Sequence, residues 1–175
     1  MTDAQQAEQY RIAETLIGEQ NFIMGLAAAV VATLAGALGW GAISVATGSM
    51  IGFVAIGLGV LVGYGMQVFG RGLTAKYSAV AAILSVIGCL AGNFVAGVMF
   101  QMKATGLSPG DILTGLTIDD LIAFYADTLQ PMDLVFWALA LGAAWSFATR
   151  KLTPDEESAM RAWAERPDSS QGFIR

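Results

Sequence analysis

Few side chains in this chain are of the kinds that carry out chemistry. Its 175 residues include no histidine and a single cysteine, Cys89, in the middle of an apolar run. The lack of histidine excludes a histidine base and a histidine metal ligand, and a lone thiol at such a position is typical of a small core residue. Residues 57–63 (GLGVLVG) lack the spacing and the preceding strand of a dinucleotide-binding loop. We therefore predict that the protein is not an enzyme and needs no cofactor.

The acidic residues that could contact a cation are gathered in one polar connection. They are Asp111, Asp119, Asp120, Asp127 and Asp133. Carboxylate oxygens suit hard cations such as Ca²⁺. Two of these residues also lie at predicted helix starts, Asp120 in a capping box with Thr117 and Asp133 in a first turn. Cation binding and helix capping are therefore both open for this group, and no metal is required to explain it.

Amides are the strongest hydrogen-bonding side chains in or near the apolar runs. They are Gln67, Asn93 and Gln101. Between residues 20 and 110 the ionisable side chains other than tyrosine and Cys89 are Arg71, Lys76 and Lys103, and none of them is a carboxylate. Proton-coupled pumps and voltage sensors depend on ionisable groups within the membrane, so those classes are disfavoured. Hydrogen bonding between helices is the expected role of the amides, with substrate contact as the alternative.

Composition indicates the elements that carry these residues. The chain is 55% hydrophobic and only 13% charged. About 20 apolar helical residues cross a hydrocarbon core of about 30 Å, and runs near that length occupy residues 22–47, 50–70, 77–102 and 132–149. The runs are continuous and do not alternate with period two, which favours helices over a barrel. We predict an all-α polytopic membrane protein with four transmembrane helices in an up-down bundle over residues 22–149.

Shorter helices are expected outside these runs. Residues 1–21 contain good helix formers and predict an amphipathic helix that leads into the first span. The external connection, 103–131, is expected to hold one short helix opened by Ser108 and a second over 118–129. The tail, 150–175, carries an N-cap and a first-turn proline that predict a helix over 154–165. The residues beyond Pro167 are expected to be disordered.

Basic residues set the expected orientation, because Lys and Arg near span ends concentrate on the cytoplasmic side. If the N-terminus is cytoplasmic, the residues inside are Arg11, Arg71, Lys76, Arg150, Lys151, Arg161, Arg166 and Arg175, and Lys103 alone lies outside. Both termini are therefore predicted to be cytoplasmic. On the outer side, Trp40 is expected at the membrane interface, and Gly48 and Ser49 are expected to end one helix and cap the next.

Small residues recur at helical spacing in the second and third runs. The stripes are Gly52, Gly59, Gly63 and Gly70 in the second run, and Ala81, Ser85, Gly88, Gly92 and Ala96 in the third. Small residues let helix backbones touch in a membrane. The two runs are therefore predicted to form a close hairpin, and the sequence leaves open whether the stripes meet each other, face lipid or line a cavity. Leucine at Gly59 or Gly92 is expected to disturb packing far more than leucine at Gly72.

A set of segments in these runs is similar to a known family. The segments are 51–63 (IGFVAIGLGVLVG), 69–72 (FGRG), 88–93 (GCLAGN) and 131–136 (PMDLVF). Together they resemble an uncharacterised family of small bacterial four-helix inner-membrane proteins with no assigned activity. The chain departs from the family's pattern at 141–145 (LGAAW), where the family has a more polar run with a tyrosine. The resemblance implies the four-helix topology and the bacterial inner membrane.

These observations favour a non-enzymatic structural or accessory protein. The lipid bilayer is its expected surrounding, and the small-residue stripes are expected to pack within the chain, against further copies, or within a larger membrane complex. Transport or binding of a small molecule, ion or lipid by a homo-oligomer is the alternative. The surface that the glycines face discriminates between the accessory role and the transport or binding role. No nucleic-acid partner is expected for a chain with a net charge of −5.

Overall fold

The computed structural model describes residues 2–166, and these fold into eight α-helices without a strand. The helices are α1 (Asp3–Gly18), α2 (Phe22–Thr47), α3 (Phe53–Gly70), α4 (Ala75–Thr105), α5 (Pro109–Thr114), α6 (Ile118–Thr128), α7 (Pro131–Phe147) and α8 (Pro154–Ala164). The all-α prediction is therefore confirmed for this part of the chain. The expectations for Arg175 and for the residues beyond Pro167 lie outside it.

Three of these helices, α2, α3 and α4, are long and apolar enough to cross a membrane. At 1.5 Å per residue, the 18 residues of α3 cover about 27 Å and the 31 residues of α4 about 46 Å. The apolar helix α7 is shorter, with 17 residues. These lengths are compatible with a helical membrane protein.

Local sequence explains most of the helix ends. Reciprocal capping boxes open α1, α5, α6 and α8, including the predicted box between Thr117 and Asp120. Gly48 ends α2 in the left-handed conformation with φ 70°, as predicted, and Gly106 ends α4 with φ 72°. The start of α3 differs from the prediction, because the helix begins at Phe53 and Ser49 does not cap it.

Helix α2 packs against two neighbours. It runs antiparallel to α3, since Gly25 lies against Gly70 and Gly36 lies against Leu58. It runs parallel to α4, with Trp40 packed on Gly92 and Val45 accepting a hydrogen bond from Lys103. The ring of Trp40 is only 1% exposed, so it packs inside the bundle and not on its surface. The ring fills the space that Gly92 leaves open.

Helices α3 and α7 form the second parallel pair. Contacts between them advance together along both helices, from Gly52 with Phe136, through Gly59 with Ala140, to Gly63 with Ala144. The sequence left open whether the stripes of α3 and α4 meet each other, and in the structure they do not. The stripe on α3 faces α7 instead, because α7 presents small residues at a matching spacing.

The two ends of this helix bundle differ. At one end, which we call the α1/α8 end, α1 and α8 pack on each other through Tyr10 and Trp163, whose rings meet edge to face at 5.9 Å. At the other, the α5/α6 end, α4 continues past α3. From Gly88, which lies level with Leu58, α4 runs on to Thr105 over about 26 Å, whereas α3 begins about 8 Å from Leu58.

Candidate functional site

The contact between α3 and α7 allows no side chain on three of the predicted packing residues. A Cβ built on Gly52 would collide with the ring of Phe136, and one on Gly59 would collide with the carbonyl group of Ala140. A Cβ on Gly63 would lie 2.7 Å from the carbonyl oxygen of Ala144. Backbone cannot move aside as a side chain can, so Gly59 and Gly63 are required for the two helices to touch, whereas Gly52 makes room for the Phe136 ring.

The fourth glycine of the α3 stripe, Gly70, packs elsewhere. A Cβ on it would lie 3.1 Å from the Cα of Gly25 in α2, and a Cβ on Gly25 would lie 2.7 Å from the Cα of Gly70. Two helix backbones therefore touch at this crossing. The loop that precedes α2 is fixed to the same place, because the amide of Asn21 donates a hydrogen bond to the carbonyl of Gly70 at 2.9 Å.

The predicted packing face of α4 is also buried inside the bundle. Ala81, Ser85 and Ala96 are 0% exposed, and the hydroxyl of Ser85 donates to the carbonyl of Ala82 at 2.8 Å. A Cβ on Gly88 would lie 2.7 Å from a methyl of Leu58. A Cβ on Gly92 would lie 2.8 Å from the ring of Trp40. Both stripes are therefore buried in helix contacts within one chain.

The sequence analysis missed the partner surface on α7. Ala140, Ala144 and Ala148 recur every four residues and are all 0% exposed. Their spacing is the signal that the analysis could have used, since small residues at i and i+4 mark a close helix contact.

The structure does not support the expectation that leucine at Gly72 disturbs packing far less than leucine at Gly59 or Gly92. A Cβ on Gly72 would collide with the ring of Tyr77, which is 1% exposed. The carbonyl of Gly72 also accepts a hydrogen bond from the amide of Arg150 at 2.9 Å. Gly57 is the open position on α3, since a Cβ there meets nothing within 4 Å.

The predicted amides do not converge on one site. Gln67 lies toward the α1/α8 end and donates a hydrogen bond to the carbonyl of Thr149 at 2.8 Å. Asn93 is 6% exposed and lies in the half of α4 nearer the α5/α6 end. Gln101 is exposed and borders a cleft near the end of α4. A shared substrate contact is therefore not assembled from these residues.

The five predicted cation contacts do not form a site. Within residues 2–166 no group of three or more His, Cys, Asp or Glu side chains is placed to hold a metal ion. The carboxylates of Asp111, Asp120 and Asp133 instead accept hydrogen bonds from the backbone amides of Ser108, Thr117 and Gln130 at their own helix starts. Asp119 and Asp127 are exposed. Helix capping therefore accounts for three of the five.

Charges from different elements pair at the α1/α8 end. Glu19 contacts the guanidinium of Arg150 at 2.9 Å and that of Arg71 at 3.3 Å, while Arg150 also contacts Glu156 at 2.7 Å. Hydrogen bonding from the Thr153 amide, with the Arg150 charge beside it, holds the pKa of Glu156 below its usual range. The sequence analysis missed this cluster, because its members are distant in the chain.

The concave surfaces on the outside of the bundle include an apolar groove and a cleft with a mixed lining. An apolar groove of about 560 Å³ lies between α2 and α3, lined by Met24, Ala27, Ala28, Val31, Ala32, Ala35, Leu61, Tyr64, Gly65 and Phe69. A cleft of about 430 Å³ lies between α4 and the α5–α6 segment. Its lining includes Asp111 and Asp120 beside aromatic rings.

Comparisons with protein-family models, with curated proteins and with solved structures found no match for this chain. The resemblance to a bacterial four-helix family therefore stays a prediction. The arguments below rest on the residues and contacts of the chain itself.

Proposed function

We propose that this protein is a four-span bacterial inner-membrane protein that works as a non-enzymatic accessory subunit of a larger membrane complex. Helices α2, α3, α4 and α7 would be the spans of an up-down bundle, with both termini in the cytoplasm. The basic residues at the α1/α8 end, including Arg71 and Arg150, support this orientation. The 17 residues of α7 reach about 26 Å, close to the length of α3.

The observation that carries the accessory role is the direction in which the small residues face. The stripes of α3 and α4 are buried within the chain, so self-association through them, one of the routes expected from the sequence, is not available to the folded protein. The only carboxylate in these four helices is that of Asp133, in the first turn of α7. A rigid bundle without a carboxylate in the middle of a span suits a role in assembly better than a role in proton-coupled transport.

One small-residue surface is still open to a neighbour. In the groove between α2 and α3, Ala27 and Ala35 are exposed and Gly65 lies in the floor. Small residues allow another helix backbone to approach closely, and van der Waals contact then stabilises the pair in lipid. The groove is almost wholly apolar, so the partner that we propose for it is a transmembrane helix of another subunit.

This proposal is tested by blocking the groove. We expect the tagged protein, extracted from its native membrane with a polymer that keeps the lipid annulus, to co-purify reproducibly with a larger membrane protein. Ala35→Trp fills the groove from an exposed position and is expected to abolish this co-purification. Ile83→Trp is the matched control, since Ile83 is 61% exposed on α4 and lies outside the groove.

A wild-type protein that runs as a monomer without any partner would overturn the accessory role. Equal loss of the partner in both tryptophan variants would overturn the groove as the contact surface. The alternative of a binding protein has one supporting observation, the cleft at the α5/α6 end.

A further inference from the structure

The cleft at the α5/α6 end lies beside the part of α4 that extends past α3. Its volume of about 430 Å³ is within the range of small-molecule sites, about 300 to 1,000 Å³. One wall is α4 from Phe94 to Gln101, and the other is formed by α5, the turn at Gly115 and α6. The cleft is distinct from the α2/α3 groove and shares no lining residue with it.

The floor of the cleft is aromatic. The rings of Phe94 and Phe124 meet edge to face with their centroids 6.1 Å apart. Phe124 lies directly on the backbone of α4, because a Cβ on Gly97 would be 2.6 Å from its ring. The hydroxyl of Tyr125 donates to the carbonyl of Leu90 at 2.9 Å and holds α6 in this position. The floor is therefore built from fixed rings and can take an apolar group.

The rim of the cleft is acidic. The Oδ2 atoms of Asp111 and Asp120 accept the capping hydrogen bonds of Ser108 and Thr117, so each carboxylate keeps its Oδ1 atom for another partner. Bonding from Thr117 lowers the pKa of Asp120, which keeps this carboxylate ionised at neutral pH. Both carboxylates are exposed at the mouth of the cleft.

No basic side chain is among the residues that line the cleft. The amino group of Lys103 reaches the carbonyl of Val45 in α2 at 3.4 Å and lines a different surface with Met99 and Met102. The mouth therefore carries two negative charges without a neutralising partner from the lining. Such a field concentrates cations and excludes anions.

We propose that this cleft binds an organic cation with an apolar body, of the substituted ammonium class. The apolar body would lie on Phe94 and Phe124, where an aromatic face also attracts a cationic group. The ammonium group would lie between the carboxylates of Asp111 and Asp120. This site goes beyond the accessory function, and binding here does not depend on a partner in the α2/α3 groove.

The test uses benzyltrimethylammonium as the probe and phenylmethanesulfonate as an anion of similar size. Binding is measured by isothermal titration on the full chain in lipid nanodiscs at 150 mM salt, with empty nanodiscs as the blank. We expect saturable binding of the cation and none of the sulfonate. The double variant Asp111→Asn and Asp120→Asn keeps the capping oxygens and is expected to weaken binding about fivefold, the loss of two partly screened charge contacts.

The matched control is Asp127→Asn with Asp133→Asn. It removes the same charge from the same connection, including one capping carboxylate, at residues that do not line the cleft. We expect its affinity to stay within about twofold of the wild type, because neither side chain lines the cleft and salt weakens the interaction of exposed charges that do not touch the ligand. No binding of the cation, binding of the sulfonate with equal affinity, or equal weakening in both double variants would overturn the proposal.

Discussion

The two ends of the bundle use carboxylates in different ways. At the α1/α8 end, Glu19 pairs with Arg71 and Arg150, so three separate segments of the chain are joined, and Glu156 pairs with Arg150 while it also caps the start of α8. At the α5/α6 end, Asp111 and Asp120 bond to residues only three positions away and stabilise their own helix starts. One end is therefore tied together by its charges, and the other keeps an open cleft with charge at its mouth.

The difference follows from where the basic residues lie. Arginine reaches across several ångströms and can bond two carboxylates at once, and the described arginines lie at the α1/α8 end or in its helices. At the other end, Lys103 is directed toward α2. Carboxylates without a basic partner accept hydrogen bonds from nearby backbone amides. The same residue type thus stabilises tertiary contacts at one end and helix ends at the other.

The largest expected effect comes from a substitution that separates α3 from α7, because both ends of the bundle depend on this contact. Gly59→Leu would force α3 away from the carbonyl group of Ala140, and we expect a loss of about 3 kcal/mol in unfolding free energy. Both ends should then lose protection from hydrogen exchange together. Gly57→Leu, on the same helix but with open space around its Cβ, is the control for thermal unfolding in detergent. Equal melting temperatures of the two variants would contradict this account of the α3/α7 contact.

A smaller effect should separate the two ends. Arg150→Gln removes two of the three ion pairs at the α1/α8 end, and we expect a loss of about 1 to 2 kcal/mol with faster hydrogen exchange in α1 and α8. Helix α6 should exchange at the wild-type rate. Arg71→Gln removes the same charge but only one contact, from a side chain that is 56% exposed, so we expect about 0.5 kcal/mol. A larger effect from Arg71→Gln would show that Arg150 does not connect these segments.

The smallest effect is expected at the other end. Tyr125→Phe removes the hydrogen bond to the Leu90 carbonyl, which is worth about 1 kcal/mol, and it should act on α6 alone because few contacts join α6 to the bundle. Hydrogen exchange of residues 118–128, followed by mass spectrometry, measures the change. Tyr64→Phe, at a side chain that is 56% exposed, is the control. Faster exchange in α8 would mean that the two ends are coupled and would break the comparison.

Sequence patterns were sufficient for the local features of the fold. The capping box at Thr117 and the left-handed stop at Gly48 depend on a few adjacent residues and were predicted correctly. The long apolar helices follow from continuous apolar runs, because a helix satisfies its backbone hydrogen bonds internally where water is absent. The start of α3 was missed because Met50 and Ile51 are apolar, and composition does not distinguish the end of a turn from the first turn of a helix.

Candidate site residues were predicted as a set but not with their partners. The sequence identified Gly59 and Gly92 as close-contact positions, but it left open which surface each stripe packs against. Partner choice depends on which surface is complementary in space. Ala140 offers backbone to Gly59, and the Trp40 ring fills the space above Gly92.

The sequence by itself therefore determined the helices, their caps and the residues small enough for backbone contact, because each of these depends on chemistry within a few positions. Tertiary structure alone decided that α3 faces α7, that Arg150 joins Glu19 to Glu156, and that Asp111 and Asp120 stand over an aromatic cleft. Those contacts join residues far apart in the chain, and only packing of the whole bundle selects among the pairings that the local patterns allow.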